Sequence, residues 1–114
     1  MKYEKTLLSG NTAMLLLALL KDRDMFGYEI IEELARRSDD TFRLKEGTLY
    51  PLLHALEKEG CVVTYVQKTA AGRERKYYHL TDAGSGELDE KTKEWRHYSE
   101  KVSAVIGYVA PCCQ

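Results

Sequence analysis

One segment, residues 46–81, carries the pattern that most restricts the fold of this chain. Its leucines recur at i, i+3, i+4 and i+7, a spacing that predicts a helix with one apolar face: Leu49, Leu52, Leu53 and Leu56. Gly60 is a typical helix end, and residues 61–66 and 75–80 have the β-branched and aromatic content of strands, with a glycine-containing turn at 70–73. A helix followed directly by a two-stranded hairpin predicts a winged helix-turn-helix, provided that other helices precede it.

Helical patterns upstream meet that condition. Residues 11–21 are apolar on nearly every side, which predicts a central helix, and residues 27–37 combine an apolar face with a charged one, which predicts a second helix. A short first strand is predicted at 42–44, where apolar and charged residues alternate. Residues 1–9 are expected to form an arm that packs on a partner. The predicted fold class is therefore α+β, mainly α.

The last predicted helix runs from a Thr81 N-cap to about residue 109 and has an apolar seam that one subunit cannot bury. The seam residues are spaced by 7, 3, 4, 3 and 4 positions: Leu88, Trp95, Tyr98, Val102, Val105 and Val109. An apolar stripe roughly 30 Å long cannot be buried by so small a subunit alone. We therefore expect a homodimer with an interface that includes Leu88, Trp95, Val102, Val105 and Val109. The alternative is that this helix folds back onto the first helix.

Two regions follow from these patterns. Residues 1–80 are predicted to form a winged-helix domain with an N-terminal arm, and residues 81–114 a long C-terminal dimerisation helix with a short tail. At 114 residues the chain has the size of one small folded body with a single core.

Composition and charge exclude several classes of protein. The longest apolar run, at 13–20, is eight residues, too short to span a membrane, and no signal-peptide pattern opens the chain. A cytoplasmic location without membrane contact is expected.

Net charge is −1, but residues 43–79 carry seven Lys or Arg against four Glu. A basic middle between two acidic flanks is typical of a surface that faces nucleic acid.

Catalytic and metal-site patterns are missing from the sequence. The three histidines have no serine or cysteine partner at motif spacing, and neither paired carboxylates nor a phosphate loop occurs. We therefore expect no enzyme activity, no cofactor, and no catalytic or metal-binding residues. Cys61 fits a small buried filler. Cys112 and Cys113 are adjacent, so a metal or redox sensor stays a minor alternative.

Several short strings follow one another along the chain: Gly27-Tyr28-Glu29-Ile30, Gly47-Thr48-Leu49-Tyr50-Pro51-Leu52-Leu53, Leu56-Glu57, Gly60, Gly72, Arg75-Lys76-Tyr77-Tyr78, Leu80-Thr81 and Gly84. In this order and spacing they resemble the PadR family of winged-helix transcriptional regulators. The resemblance extends from about residue 15 to residue 84.

The helix at 46–59 supplies five of the expected DNA contacts: Thr48, Tyr50, Pro51, His54 and Lys58. The resemblance implies groove contacts for Thr48 and Tyr50, whereas His54 is chosen for its outward position and is alternatively an ordinary surface residue. Pro51 is expected to shape the helix start and to contact a thymine methyl group. Tyr28 matches a family tyrosine that hydrogen-bonds backbone phosphate.

The wing, at 66–78, supplies the remaining expected contacts: Arg73, Arg75, Lys76 and Tyr78. Its basic side chains are expected to neutralise phosphates, which gives affinity without sequence preference. The alternative is that they only keep a hairpin soluble. Of the two adjacent tyrosines, Tyr77 is predicted to be core and Tyr78 to reach a phosphate.

Trp95, the only tryptophan, lies near the middle of the last helix, where some PadR regulators place a tryptophan in an effector pocket. The resemblance implies a pocket for a small aromatic or amphipathic effector, lined by Trp95, Tyr98, Met14 and Leu15. The alternative is that Trp95 is interface core. Ser85 and Gly86 stand where family members often have a basic residue, so one phosphate contact is expected to be absent.

The resemblance implies a homodimeric repressor that binds a pseudo-palindromic operator in double-stranded DNA and is released by the effector. The rival interpretation is a winged-helix protein-interaction module without specific DNA binding. The net charge of −1 and the aromatic seam favour that rival.

Overall fold

The structure is a computed structural model that describes the backbone of residues 5–107 and the side chains of residues 11–107. It contains four helices and a three-stranded antiparallel sheet, which confirms the predicted α+β, mainly α class. In chain order the elements are α1 (Lys5–Asp22), β1 (Met25–Phe26), α2 (Gly27–Arg37), α3 (Glu46–Lys58), β2 (Val62–Lys68), β3 (Glu74–Leu80) and α4 (Asp82–Ile106).

The N-terminal part differs from the prediction of an arm at 1–9. Helix α1 begins at Lys5, six residues before the predicted start at Asn11, and residues 1–4 lie outside the described part. Ser9 and Gly10 are weak helix formers, yet α1 continues through both. Helix formation is cooperative, so a strong apolar helix anchored in the core extends through one unfavourable glycine.

The sheet has the strand order β1-β3-β2. Strands β2 and β3 pair over seven positions, from Val62 opposite Leu80 to Lys68 opposite Glu74, and β1 adds only two pairs to the other edge of β3. The first strand predicted at 42–44 is wrong. Residues 42–44 alternate because Phe42 and Leu44 turn towards the core while Arg43 is exposed, and they form no strand.

The core lies where α1, α2, α3 and the inner face of the sheet meet. Leu16 and Leu17 of α1, Ile30 of α2 and Leu49 and Leu53 of α3 are fully buried there. Each such side chain contributes about 2 kcal/mol through burial. The apolar face predicted for the helix at 46–59 is therefore the face that fixes α3 to the body, which leaves its opposite side free.

Helix α4 starts where the predicted cap places it. The hydroxyl oxygen of Thr81 accepts a hydrogen bond from the Gly84 amide at 3.0 Å and donates one to the Gly60 carbonyl at 2.6 Å. The Thr81 amide also donates to the Cys61 carbonyl at 3.0 Å. These bonds tie the start of α4 to the turn between α3 and β2. Gly107, with φ of 75°, ends the helix.

No helix in the part of the chain that the structure describes is long and apolar enough to cross a membrane.

Candidate nucleic-acid interface

The side of α3 that faces away from the core collects the groove residues predicted from sequence. The leucines on the other side are covered, whereas all five groove residues are exposed: Thr48, Tyr50, Pro51, His54 and Lys58. Gly47 has no side chain and has open space beside it, so the first turn of α3 projects little from the surface at this position. Pro51 is the sixth helical residue and donates no backbone hydrogen bond, which the exposed position tolerates because water reaches the freed carbonyl.

The ring of Tyr50 lies against a glycine at the start of α2. A Cβ atom on Gly27 would overlap the Tyr50 hydroxyl and would lie 2.8 Å and 2.9 Å from two atoms of its ring. Only glycine therefore lets the ring lie against the N-terminus of α2. The sequence marked Gly27 as part of a motif but gave no reason for it. Its neighbour Tyr28 is 56% exposed.

The three basic wing residues that are expected to contact DNA differ in their exposure to solvent. Arg73 and Lys76 are exposed beside a tip in which Gly72 adopts a φ of 82°, whereas Arg75 is half-buried. The Arg75 guanidinium lies over the ring of Phe26, 4.9 Å from its centroid. Its Nε atom is shielded from solvent and has no hydrogen-bond partner among the described residues. Arg73 and Lys76 are thus the more accessible candidates for phosphate contact.

The prediction for the two adjacent tyrosines of β3 is wrong. Tyr78 is 5% exposed and belongs to the core, whereas Tyr77 is half-buried on the outer face of the sheet, the face away from the helices. Burial raises the pKa of Tyr78. The strand register turns the even-numbered residues of β3 towards the core. The sequence Lys-Tyr-Tyr-His does not show which of its two alternating sets of side chains faces inward. The ring of Tyr78 is thus covered, and its contact with a phosphate stays a prediction.

The outer face of the sheet carries a cluster that the sequence did not reveal. The Asp24 carboxylate accepts a hydrogen bond from the Tyr65 hydroxyl at 2.7 Å and pairs with His79 Nδ1 at 2.8 Å. Tyr65 stacks on Tyr77 with centroids 5.5 Å apart, and Phe26 meets Tyr77 edge-on at 5.6 Å. We call these five residues the outer-face cluster. No spacing rule joins Asp24 to partners 41 and 55 residues away.

Helix α4 shows an exposed apolar stripe where the seam was predicted. Within the described residues the stripe consists of Trp95, Tyr98, Val102, Val105 and Ile106. Leu88 is an exception, because it is buried in the core of its own subunit and is not available as an interface residue. Its position on the seam brings it over α1 rather than into solvent. Val109, also expected at the interface, lies outside the described residues.

The four expected effector-pocket residues lie on two helices of one subunit, α1 and α4. Trp95 and Tyr98 are neighbours with ring centroids 6.5 Å apart, and Met14 and Leu15 are half-buried on α1. A shallow apolar depression near the end of α4 includes Tyr98 but none of the other three; its walls are Tyr98, Lys101, Val102, Val105 and Ile106.

Metal-ligating side chains do not converge within residues 11–107, where no group of three could hold an ion. Cys61 is buried, and burial raises the pKa of its thiol. Cys112 and Cys113 lie outside the described residues, so the sensor alternative stays untested.

Comparison with known proteins gives consistent matches. The model of the PadR-like family of transcriptional regulators matches residues 16–90. A transcriptional regulator of Mycobacterium tuberculosis is 36% identical over 86 residues, which cover 75% of this chain and 74% of that protein. The crystal structure of a PadR-like transcriptional regulator from Bacillus cereus superposes with a TM-score of 0.79 at 30% identity and covers 90% of this chain and 97% of that one.

A transcriptional regulator from Clostridium thermocellum superposes with a TM-score of 0.82 at 27% identity, over 90% of this chain and 96% of that one. The family model covers α2, α3, the wing and the start of α4, which are the elements that form the candidate interface. These proteins are regulators of transcription rather than enzymes. The chain belongs to the PadR family of winged-helix transcriptional regulators.

Proposed function

We propose that this PadR regulator acts as a homodimeric repressor that inserts α3 into the major groove of a pseudo-palindromic operator. The observation that carries the proposal is the division of α3 into a buried leucine face and an exposed face with hydroxyl, imidazole and ammonium groups. An α-helix fits the major groove, which is about 12 Å wide, and such groups contact base edges and phosphates. Thr48, Tyr50 and His54 are the proposed groove contacts.

The wing supplies the second part of the proposed interface. Arg73 and Lys76 are exposed near the hairpin tip, and Lys58 is exposed at the end of α3. Contacts from these three side chains to phosphate release counterions and make binding depend on salt. Arg75, which rests over Phe26, and Tyr28, at the start of α2, are proposed to complete the set of backbone contacts.

The shape of the subunit supports a dimer. Its radius of gyration is 15.6 Å, whereas a compact chain of this length has about 13 Å. The longest dimension, 54 Å, exceeds the other two, 30 and 25 Å. The exposed apolar stripe on α4 favours association of two subunits, because an interface would remove this apolar surface from water. A two-fold axis would present two copies of α3 to half-sites one helical turn apart, about 34 Å.

An aromatic or amphipathic effector is proposed to release the operator. Trp95 and Tyr98 form an exposed aromatic pair on the proposed interface, which offers stacking surface to a planar ligand between subunits. A ligand that favours one arrangement of the subunits shifts their population away from the DNA-binding spacing. Candidate ligands that quench Trp95 fluorescence are expected to weaken operator binding. Quenching that leaves operator affinity unchanged would contradict this part of the proposal.

The rival function is a protein-interaction module, and Lys76 separates the two. Lys76→Ala is expected to weaken binding to operator and to unrelated duplex DNA by a similar factor. It should also reduce the slope of log K against log salt by about one, because one phosphate contact is lost. Fluorescence anisotropy at four salt concentrations measures both quantities.

Lys93→Ala is the matched control, since Lys93 is an exposed lysine on α4 and the change in charge is identical. It should leave affinity and slope nearly unchanged. Lys76 lies over the ring of Tyr78, with its Nζ atom 5.7 Å from the centroid, so the melting temperature of each variant is measured too. Equal behaviour of the Lys76 and Lys93 variants would favour the interaction module.

A further inference from the structure

The carboxylate of Asp24 joins both strands of the wing to the helical body. Asp24 lies in the short segment between α1 and β1, and its two oxygens contact different strands. Oδ2 accepts from the Tyr65 hydroxyl of β2 at 2.7 Å, and Oδ1 pairs with His79 Nδ1 of β3 at 2.8 Å. One side chain outside the hairpin therefore contacts both of its strands.

The contact extends through the outer-face cluster towards the tip of the wing. Tyr65 stacks on Tyr77 with an angle of 11° between the rings, and Tyr77 meets the edge of Phe26. The guanidinium of Arg75 covers Phe26. A continuous row of contacts thus leads from Asp24 to the strand segment that carries Arg75 and its neighbour Lys76.

The hairpin has few other attachments on that side. Strand β1 contributes two residue pairs to the sheet, and an isolated two-stranded hairpin is marginally stable in water. Hydrogen bonds to a charged carboxylate are stronger than neutral ones. The hydrogen bond to Asp24 is the largest of the effects that raise the pKa of Tyr65 to about 12. Burial raises the pKa of Asp24, but the bonds from Tyr65 and His79 outweigh it and the pKa is lowered.

We propose that Asp24 is a positioning residue for DNA binding, which holds the wing at a fixed angle to α3 so that groove and phosphate contacts form together. The proposal rests on the proposed function of α3 and the wing. Asp24 itself touches no DNA in this scheme, because both its oxygens are occupied by Tyr65 and His79.

The sign of the effect distinguishes positioning from simple electrostatics. Asp24 is negatively charged, as is Glu29 nearby, which pairs with Arg23 at 3.4 Å. Removal of one negative charge next to a DNA-binding surface is expected to strengthen attraction to phosphate. If Asp24 positions the wing, its removal instead weakens binding, although the protein becomes more positive.

The experiment is an anisotropy titration of operator DNA at several salt concentrations with Asp24→Ala, Asp24→Asn and Tyr65→Phe. Asp24→Ala is expected to weaken operator binding roughly 10-fold, about the effect of one lost charge-assisted contact. Asp24→Asn keeps the shape and one acceptor oxygen, so it should recover part of the loss. Tyr65→Phe removes only the hydroxyl and keeps the ring stack, so a smaller loss is expected. Asp89→Ala, which removes an exposed carboxylate from α4, should bind no more weakly than wild type.

A double-mutant cycle with Lys76→Ala provides the readout that a purely structural role would not change. If Asp24 acts through the wing, Lys76→Ala costs less affinity in the Asp24→Ala background than in wild type. Faster amide exchange confined to β2 and β3 should accompany the loss. Melting curves confirm that each variant is folded at the assay temperature.

Two outcomes would overturn the proposal. One is that Asp24→Ala and Tyr65→Phe bind the operator as well as wild type does. The other is that the effects of Asp24→Ala and Lys76→Ala on affinity multiply independently. If Lys76→Ala still weakens binding in either case, the proposed function stands and only the role of Asp24 fails. If wild type shows no specific binding, the proposed function fails first, and the role of Asp24 with it.

Discussion

Gly84→Ala is expected to destabilise the protein by about 2 kcal/mol, although alanine is normally the better helix former. Gly84 is buried in the first turn of α4, where a Cβ atom would overlap the carbonyl oxygen of Cys61. The same atom would lie 2.7 Å from a methyl carbon of Leu80 and 3.0 Å from the Cys61 carbonyl carbon. Backbone atoms in a tight turn cannot move aside cheaply, so the start of α4 has to shift and the Thr81 bonds weaken.

Gly86→Ala is the matched control for that prediction. Gly86 lies two residues further along α4, is exposed, and has nothing within 4 Å of a built Cβ atom. There the usual preference applies, and a gain of about 1 kcal/mol is expected. Urea denaturation at one fixed protein concentration measures both variants, because the stability of a dimer depends on concentration. Changes of the same sign in the two variants would show that α4 does not pack on Cys61 as described.

Val105→Lys is expected to convert the protein to monomers and to weaken operator binding by roughly 100-fold or more, because the second half-site no longer binds as part of one molecule. Val105 is 86% exposed in a single subunit, so the substitution leaves the subunit's own core intact. A lysine buried in an apolar interface is costly. Its positive charge near the C-terminus of a helix is favourable, and it attracts DNA, so neither effect explains weaker binding.

Glu100→Lys is the control, since Glu100 is exposed and lies about 140° around the α4 axis from Val105. It should leave the dimer intact and bind DNA no more weakly than wild type. Analytical ultracentrifugation gives the oligomeric state, and anisotropy on full operator and half-site DNA gives the affinities. A dimeric Val105→Lys variant with normal operator affinity would place the interface elsewhere than on the α4 stripe.

The parts of the fold that the sequence predicted are those with strong local signals. The leucine repeat of α3, Gly60 and the Thr81 cap each specify structure within a few residues, and each is found as predicted. The exposed side of α3 follows directly, because burial of one helical face leaves the other free. Most of the candidate interface on α3 was therefore accessible from sequence.

The parts that were missed depend on contacts between distant residues. Strand β1 has two residues, too few for any periodicity, and exists because β3 offers a free edge. Which of Tyr77 and Tyr78 is buried depends on the register of a hairpin whose residues suit either face. Leu88 belongs to the apolar seam by spacing, yet the turn that ties α4 to Cys61 brings it into its own core. The Asp24 contacts have no local signal at all.

The most direct test of sequence-specific DNA binding is a gel-shift titration of the purified protein with the intergenic DNA upstream of its own gene, at two salt concentrations and with excess nonspecific competitor. We expect a discrete complex that survives the competitor and has the stoichiometry of one dimer per site. Its affinity should fall with salt as expected for several phosphate contacts. If a genome-wide selection of bound fragments also yields no preferred sequence, and only diffuse, salt-sensitive binding is seen, the claim of sequence-specific regulation through α3 and the wing is contradicted.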